Sequence, residues 1–358
     1  MSSPEGETLT AAEPPPAVPP EPDALRAADA PKPGADAPPS RPGATTFTIE
    51  GRSAPALFVV GWIATILGLG AVVIALLGGA NPAAPVLLIV GLVVLSLGLV
   101  AGAGSQAIER RARGVSAYQG PSPFLVFAAS VPLAGLAGII LAIPLVVAGV
   151  PVDSPVGRLI GVATQAVVYV VLLRLLVVDL GALHWADMGV TRLDRQAVAG
   201  LVTGAMWALP VIVITGVVAA ILTQLVPVTP TSPLPPTGDA AGLVINLIAG
   251  ALIAPVAEEL LFRGFATTAW ARTIGAQRAL VRAALFFAVV HVLNISGTEA
   301  DQAIGLAIVG FASRIPVALA LGWLYLRGRS IWAPIGLHAA FNGALIVLGE
   351  IALRSGVA

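Results

Sequence analysis

From Pro55 to the C-terminus the chain repeats one pattern. Runs of about twenty apolar residues alternate with short loops that collect the charged residues. Runs of that length match the hydrocarbon core of a bilayer, so the pattern predicts membrane helices. We place them at Pro55–Leu77, Ala84–Ala103, Phe124–Val147, Val156–Val178, Gln196–Leu222, Ala241–Phe265, Gln277–Leu293, Ala303–Leu326 and Ile331–Leu353. Internal Pro132, Pro144, Pro210, Pro255, Pro316 and Pro334 are tolerated in such helices and predict kinks. The fold class is all-α, a polytopic integral membrane protein of about nine spans.

Residues 1–53 break the pattern. They are rich in Pro, Ala, Glu and Asp, with almost no aromatics. Such a segment buries too little apolar surface to fold, which predicts a disordered tail. It lacks the basic start and apolar stretch of a signal peptide. Three regions follow from this reading: the tail over 1–53, five helices over 54–226, and a four-helix core over 240–353.

Loop charges orient the bundle. One set of loops carries Arg110, Arg111, Arg113, Arg192, Arg195, Arg272, Arg278, Arg282, Arg327 and Arg329. The opposite set carries Asp153, Asp239, Glu299 and Asp301, with Arg158 beside a helix end. Arg354, in the short C-terminal tail, is a lone exception. The expectation is a multi-pass cell-membrane protein, N-terminus cytoplasmic and C-terminus external. The Pro-rich loop Pro227–Pro236 is then an external, stiff connector.

Composition narrows the chemistry. The chain is 57% hydrophobic and 11% charged, where soluble domains carry about 25% charge. It holds no cysteine, which excludes disulfides and thiolate metal sites. A net charge of zero gives no sign of a nucleic-acid partner. His184, His291 and His338 are the three histidines of the chain. His184 falls in the loop Asp179–Arg195 and reads as interfacial packing.

The polar residues of interest sit in the late spans. Ala254-Pro255-Val256-Ala257-Glu258-Glu259-Leu260-Leu261-Phe262-Arg263 puts two carboxylates and an arginine into an apolar run. Ionisable groups inside a membrane are costly and point to function. Glu259 and Arg263 are four apart and share a helix face, whereas Glu258 points about 100° away without a partner in its own helix. The next span carries Phe287 and His291, again four apart; the last carries His338 and Asn342, also four apart. Arg314 reads as structural. These residue types suit hydrolysis without a covalent nucleophile. A carboxylate or imidazole takes a proton from water, and His or Asn donates to an oxyanion. Depth raises a difficulty. On these boundaries Glu258 and His338 lie roughly 9–13 Å from the helix ends on the arginine side, but His291 roughly 21 Å, so tilt or a later helix start is needed.

Glu-Glu-x-x-x-Arg, Phe-x-x-x-His and His-x-x-x-Asn, on late membrane helices in that order, resemble the CPBP family. This is the type II CAAX prenyl endopeptidase and bacteriocin-processing (Abi) group of intramembrane proteases. The match runs from about Leu243 to Leu348. The resemblance implies a cavity opening to the cytoplasm, water activated by Glu258 with His291, and an oxyanion site lined by His338 and Asn342. It implies supporting roles for Glu259, Arg263 and Phe287. The partner it implies is a peptide or protein substrate in or at the bilayer. Zinc is an alternative: Glu258, His291 and His338 offer three ligands. No His-Glu-x-x-His spacing is present, and Asn342 suits hydrogen-bond donation better than ligation. The expected mechanism therefore uses no cofactor. Rival readings are a non-catalytic scaffold or bacteriocin-immunity protein of the same fold, and a proton-coupled transporter. The near absence of polar residues in the first three spans counts against a through-path.

Overall fold

The structure, a computed structural model, describes residues 46–49, 52–114, 117–228, 232, 234–293 and 299–356. Most of the segment read as a disordered tail therefore lies outside the described residues. Its end differs from that reading: β1 (Thr46–Ile49) and β2 (Arg52–Pro55) pair as an antiparallel hairpin, Thr46 opposite Pro55. Thr46-Phe47-Thr48-Ile49 is a run of β-branched and aromatic residues, which favours a strand.

Nine helices follow among the described residues. They are α1 (Ala56–Leu77), α2 (Ala84–Arg113), α3 (Pro123–Val147), α4 (Pro155–Val178), α5 (Arg195–Leu225), α6 (Ala240–Ile274), α7 (Ala276–Val290), α8 (Ala300–Gly328) and α9 (Trp332–Arg354). Eight are long and apolar enough to span a membrane. Ile66, Leu77 and Val147, exposed by 68%, 82% and 83%, show a surface built for lipid rather than water.

The exception is α7, where a full span was expected. Its 15 residues rise only ~22 Å, short of the ~30 Å of hydrocarbon. Yet the chain still changes ends there. At one end, rich in arginine, Arg272 pairs with Asp187 at 2.8 Å, Ile331 N–H reaches the Gly189 carbonyl, and Trp332 Nε1 donates to Thr191. At the other end Thr237 N–H donates to Glu350, Asn246 donates to the Pro235 carbonyl, and Gly305 abuts Val226 and Val228. Early α7 meets late α8, Leu280 against Gly322, at the arginine end, whereas α8 begins at the opposite end. The passage is therefore helical as far as Val290, and of the residues that follow, 294–298 lie outside the described ones. α1 and α2 run antiparallel, Gly61 against Gly98 and Gly68 against Leu95, which puts Ala56 at the arginine end. Arg354 lies at the other.

Proline positions show how α6 and α9 are shaped. Pro132, Pro144, Pro210 and Pro316 lie inside their helices. Pro334 does not mark a kink: it sits in the first turn of α9, where no N–H partner is needed. Pro255 follows a segment of wide π turns over Ile248–Ile253, which absorbs its missing N–H and ring. A second wide segment covers Leu260–Thr267. The short α-helical piece between them carries Glu258 and Glu259, and such π segments often mark functional sites.

α9 is seated on α5 by two glycines. A Cβ at Gly204 would collide with the Ala333 carbonyl, and one at Gly336 with that of Leu201. Small residues let membrane helices approach this closely. Gly336 is two residues before His338, so this contact fixes the depth of the histidine. An aromatic cluster joins α6 to α7, with Phe262 edge-on to Phe286 and to Phe287 at 5.4 and 5.1 Å.

Candidate active site

The depth difficulty disappears because α6 does not end at Phe265. It continues to Ile274 and turns at Gly275, φ 83°, directly into α7. Glu258 is then ~24 Å from that turn along α6, and His291 ~22 Å along α7. The two side chains meet at one level without tilt or a late start.

Glu258 Oε2 lies 3.5 Å from His291 Nε2 and 3.8 Å from His338 Nε2. Each ring is held from its other nitrogen. His291 Nδ1 sits 2.6 Å from the Phe287 carbonyl, which can only accept, so Nδ1 carries the proton. His338 Nδ1 donates to Glu259 Oε1 at 2.7 Å. The same Oε1 takes an N–H of Arg263 at 3.0 Å, and Arg263 Nη2 donates onward to the Ala318 carbonyl at 3.3 Å. Glu259 and Arg263 are fully buried. The guanidinium also stacks over the Phe287 ring, 4.4 Å from its centre.

This network has a chemical consequence. With both rings neutral, two bare Nε2 lone pairs face one carboxylate oxygen. Glu258 Oε2 is shut from solvent and has no hydrogen-bond partner among the described residues. Three acceptors around one point attract a proton. A water drawn to this point would direct its hydrogens at bases, and a ring that gains a proton becomes a donor.

The other anticipated residues fall around this centre. Phe287 packs on His291 at 4.2 Å and edge-on to His338 at 5.8 Å, supporting both rings. Asn342 is one turn beyond His338, its Nδ2 donating to the Gly250 carbonyl at 2.9 Å rather than to the Glu258 carboxylate. His184 is apart from the site, 77% exposed and 3.3 Å from Asp187. The His184 backbone N–H and then Arg272 hold the Asp187 carboxyl below its ordinary value, which anchors that loop to α6.

Two features are not visible in the motifs. The link from Glu259 to His338 joins residues 79 apart in sequence, and only helix packing creates it. Tyr169, buried on α4 and hydrogen-bonded by Gln165 at 2.6 Å, lies within electrostatic reach of Glu258. The i, i+4 spacing of Gln165 and Tyr169 in an otherwise apolar span is a signal that could have brought α4 to the site.

The donor set bears on zinc. Nitrogen and carboxylate donors are the right kind, and the Oε2–Nε2 separations of 3.5 and 3.8 Å compare with about 3.4 Å around a tetrahedral ion with 2.1 Å bonds. Among the described residues no three His, Cys, Asp or Glu side chains are placed to hold a metal ion.

Residues 240–344 match the family model for type II CAAX prenyl endopeptidases, Rce1-like. They form an Rce1-like domain. It spans α6 to the middle of α9 and contains each residue from Glu258 to Asn342 discussed above, which bears out the family read from the three motifs. The matched family is one of membrane proteases, in keeping with the apolar helices around the matched residues. No curated protein and no solved structure matches the chain.

Proposed function

We propose that the Rce1-like domain hydrolyses a peptide bond in a membrane-associated or lipid-modified peptide. Glu258, assisted by His291, takes a proton from water, and the oxygen attacks the scissile carbonyl. His338 then carries the proton toward the leaving amine or donates to the oxyanion. Asn342 lines the same side one turn away; of the two, His338 is within 4 Å of Glu258. The observation that carries this reading is the pair of bare Nε2 atoms facing one oxygen of Glu258. The test is cleavage of fluorogenic peptides by purified protein, wild type beside Glu258→Gln.

The reaction is proposed to need no metal, because no His-Glu-x-x-His spacing is present and Glu258 with two imidazoles can take and return the proton. Peptide cleavage is then expected to survive strict chelation. Activity that disappears with chelator and returns with zinc would assign the water to a metal instead.

The arginine end is proposed to face the cytoplasm. A reporter fused after Ala358 is expected to report an external location, because the Gly275–Ala300 stretch changes ends. A cytoplasmic reading would mean that this stretch returns to its own side.

A further inference from the structure

The outer face of α7 carries a groove that the catalytic reading does not use. It encloses about 830 Å³, within the roughly 300–1,000 Å³ of small-ligand sites. Its walls are Phe124 at the start of α3 and Arg278, Val281, Arg282, Leu285 and Val289 along α7. The two helices meet here through rings: Phe286 lies edge-on to Phe124 at 4.9 Å and to Phe127 at 5.4 Å. At 100° per residue Leu285 and Val289 stand about 160° from Phe287. The groove therefore opens away from Glu258, and its apolar wall of Val281, Leu285 and Val289 is exposed to lipid.

Both α3 and α7 start at the arginine end, so the groove has a polar mouth and an apolar depth. From Arg278 to Val289 α7 rises about 17 Å, close to the about 15 Å of hydrocarbon in one leaflet. Arg278 and Arg282 are one turn apart on one exposed face. Side chains lean toward the start of a helix, which carries the Arg282 guanidinium back to the mouth, 5.8 Å from the centre of the Trp270 ring. Among the described residues neither guanidinium has an ion-pair or hydrogen-bond partner, whereas Arg272 nearby is paired with Asp187. No acidic residue lines the groove. Two free guanidinium forks above an apolar slot one leaflet deep match a phosphate joined to an acyl chain. A zwitterionic head would bring an ammonium that finds no carboxylate there.

We propose that the groove holds one anionic phospholipid from the leaflet at the arginine end, its phosphate between Arg278 and Arg282 and one acyl chain along Val281, Leu285 and Val289. Anionic lipids concentrate in the cytoplasmic leaflet, and basic pockets between membrane helices collect their heads. A chain seated here packs on Phe286, whose ring also meets Phe262 at 5.4 Å and Trp270 at 5.6 Å. The lipid thereby ties α3, α6 and α7 together. His291 follows the last residue of α7, so the lipid steadies one histidine of the site from the opposite face. It does not compete with a substrate at Glu258, and its binding does not depend on the site being a peptidase.

The experiment uses the full-length protein in mixed detergent micelles with dioleoyl phosphatidylglycerol, dioleoyl phosphatidylcholine or water-soluble glycerol phosphate. Native mass spectrometry counts retained lipid, and melting is followed on the same samples. The wild type is expected to retain one phosphatidylglycerol and to melt about 3 °C or more above its value in phosphatidylcholine. Arg278→Gln with Arg282→Gln is expected to bind this lipid roughly tenfold more weakly and to lose the shift. Arg278→Lys with Arg282→Lys keeps the charges without the forks; it recovers part of the binding and carries the test should the glutamine variant melt early. Leu285→Trp fills the slot, leaves both arginines in place, and is expected to weaken binding by a similar factor. Arg327→Gln with Arg329→Gln, at the same end but outside the groove, is expected to bind as the wild type does. Equal retention of the two lipids, an equal loss in the Arg327 and Arg329 variant, or binding untouched by Leu285→Trp overturns the proposal. An equal shift with glycerol phosphate would mark a free-phosphate site and overturns it too.

Discussion

Glu258→Gln is expected to fold and to lose turnover, by a factor of about 10² to 10⁴ if proton abstraction alone is removed. The substitution keeps volume and polarity. Its amide can donate to a bare Nε2 of His291 or His338, where the carboxylate offers only another acceptor. The desolvated charge disappears as well, so the melting temperature should hold or rise. The Glu259–Arg263 pair and the Phe287 carbonyl still hold both histidines. Loss of activity therefore reads out chemistry rather than collapse. Melting and peptide cleavage on the same preparation check this. Turnover near the wild-type rate in a folded Glu258→Gln would move the base to another residue.

What could be read from the sequence follows from what repeats in it. Eight long helices are visible because each is a near-continuous apolar run, and the period of the helix puts Glu259 with Arg263, and His338 with Asn342, on common faces. The ninth passage is only half legible. α7 stops at Val290, and apolarity alone does not reveal where within the run the helix ends. The end of α6 is illegible for a related reason: Arg272 reads as a loop arginine, yet the helix runs past it to Ile274. The three motifs identify which side chains do chemistry. They do not show which partner holds each ring. Glu259 reads from its own helix as a partner of Arg263 alone, whereas packing of α9 against α6 also makes it the acceptor that sets the His338 tautomer. Asn342 shows the opposite case: its spacing from His338 is as anticipated, but its amide is engaged by Gly250.

That double duty of Glu259 makes its substitution the most damaging to the fold. Glu259→Ala leaves the Arg263 guanidinium buried without its carboxylate and His338 Nδ1 without an acceptor. Stranding one partner of a buried pair costs about 3–5 kcal/mol. Lower yield and a lower melting temperature are expected, with residual activity tracking the folded fraction. Glu259→Gln separates the two duties. Its amide oxygen still accepts from either His338 or Arg263, but the arginine charge is no longer neutralised. A folded Glu259→Gln should therefore retain far more turnover than Glu258→Gln. Adding Arg263→Met to Glu259→Gln removes the stranded charge, so the double variant should be more stable than Glu259→Gln alone, and a thermodynamic cycle gives the coupling. No recovery in the double variant would mean that the pair is not what holds this part of α6. A silent Glu259→Gln beside an active Glu258→Gln, both folded, would show that the two glutamates have each other's roles.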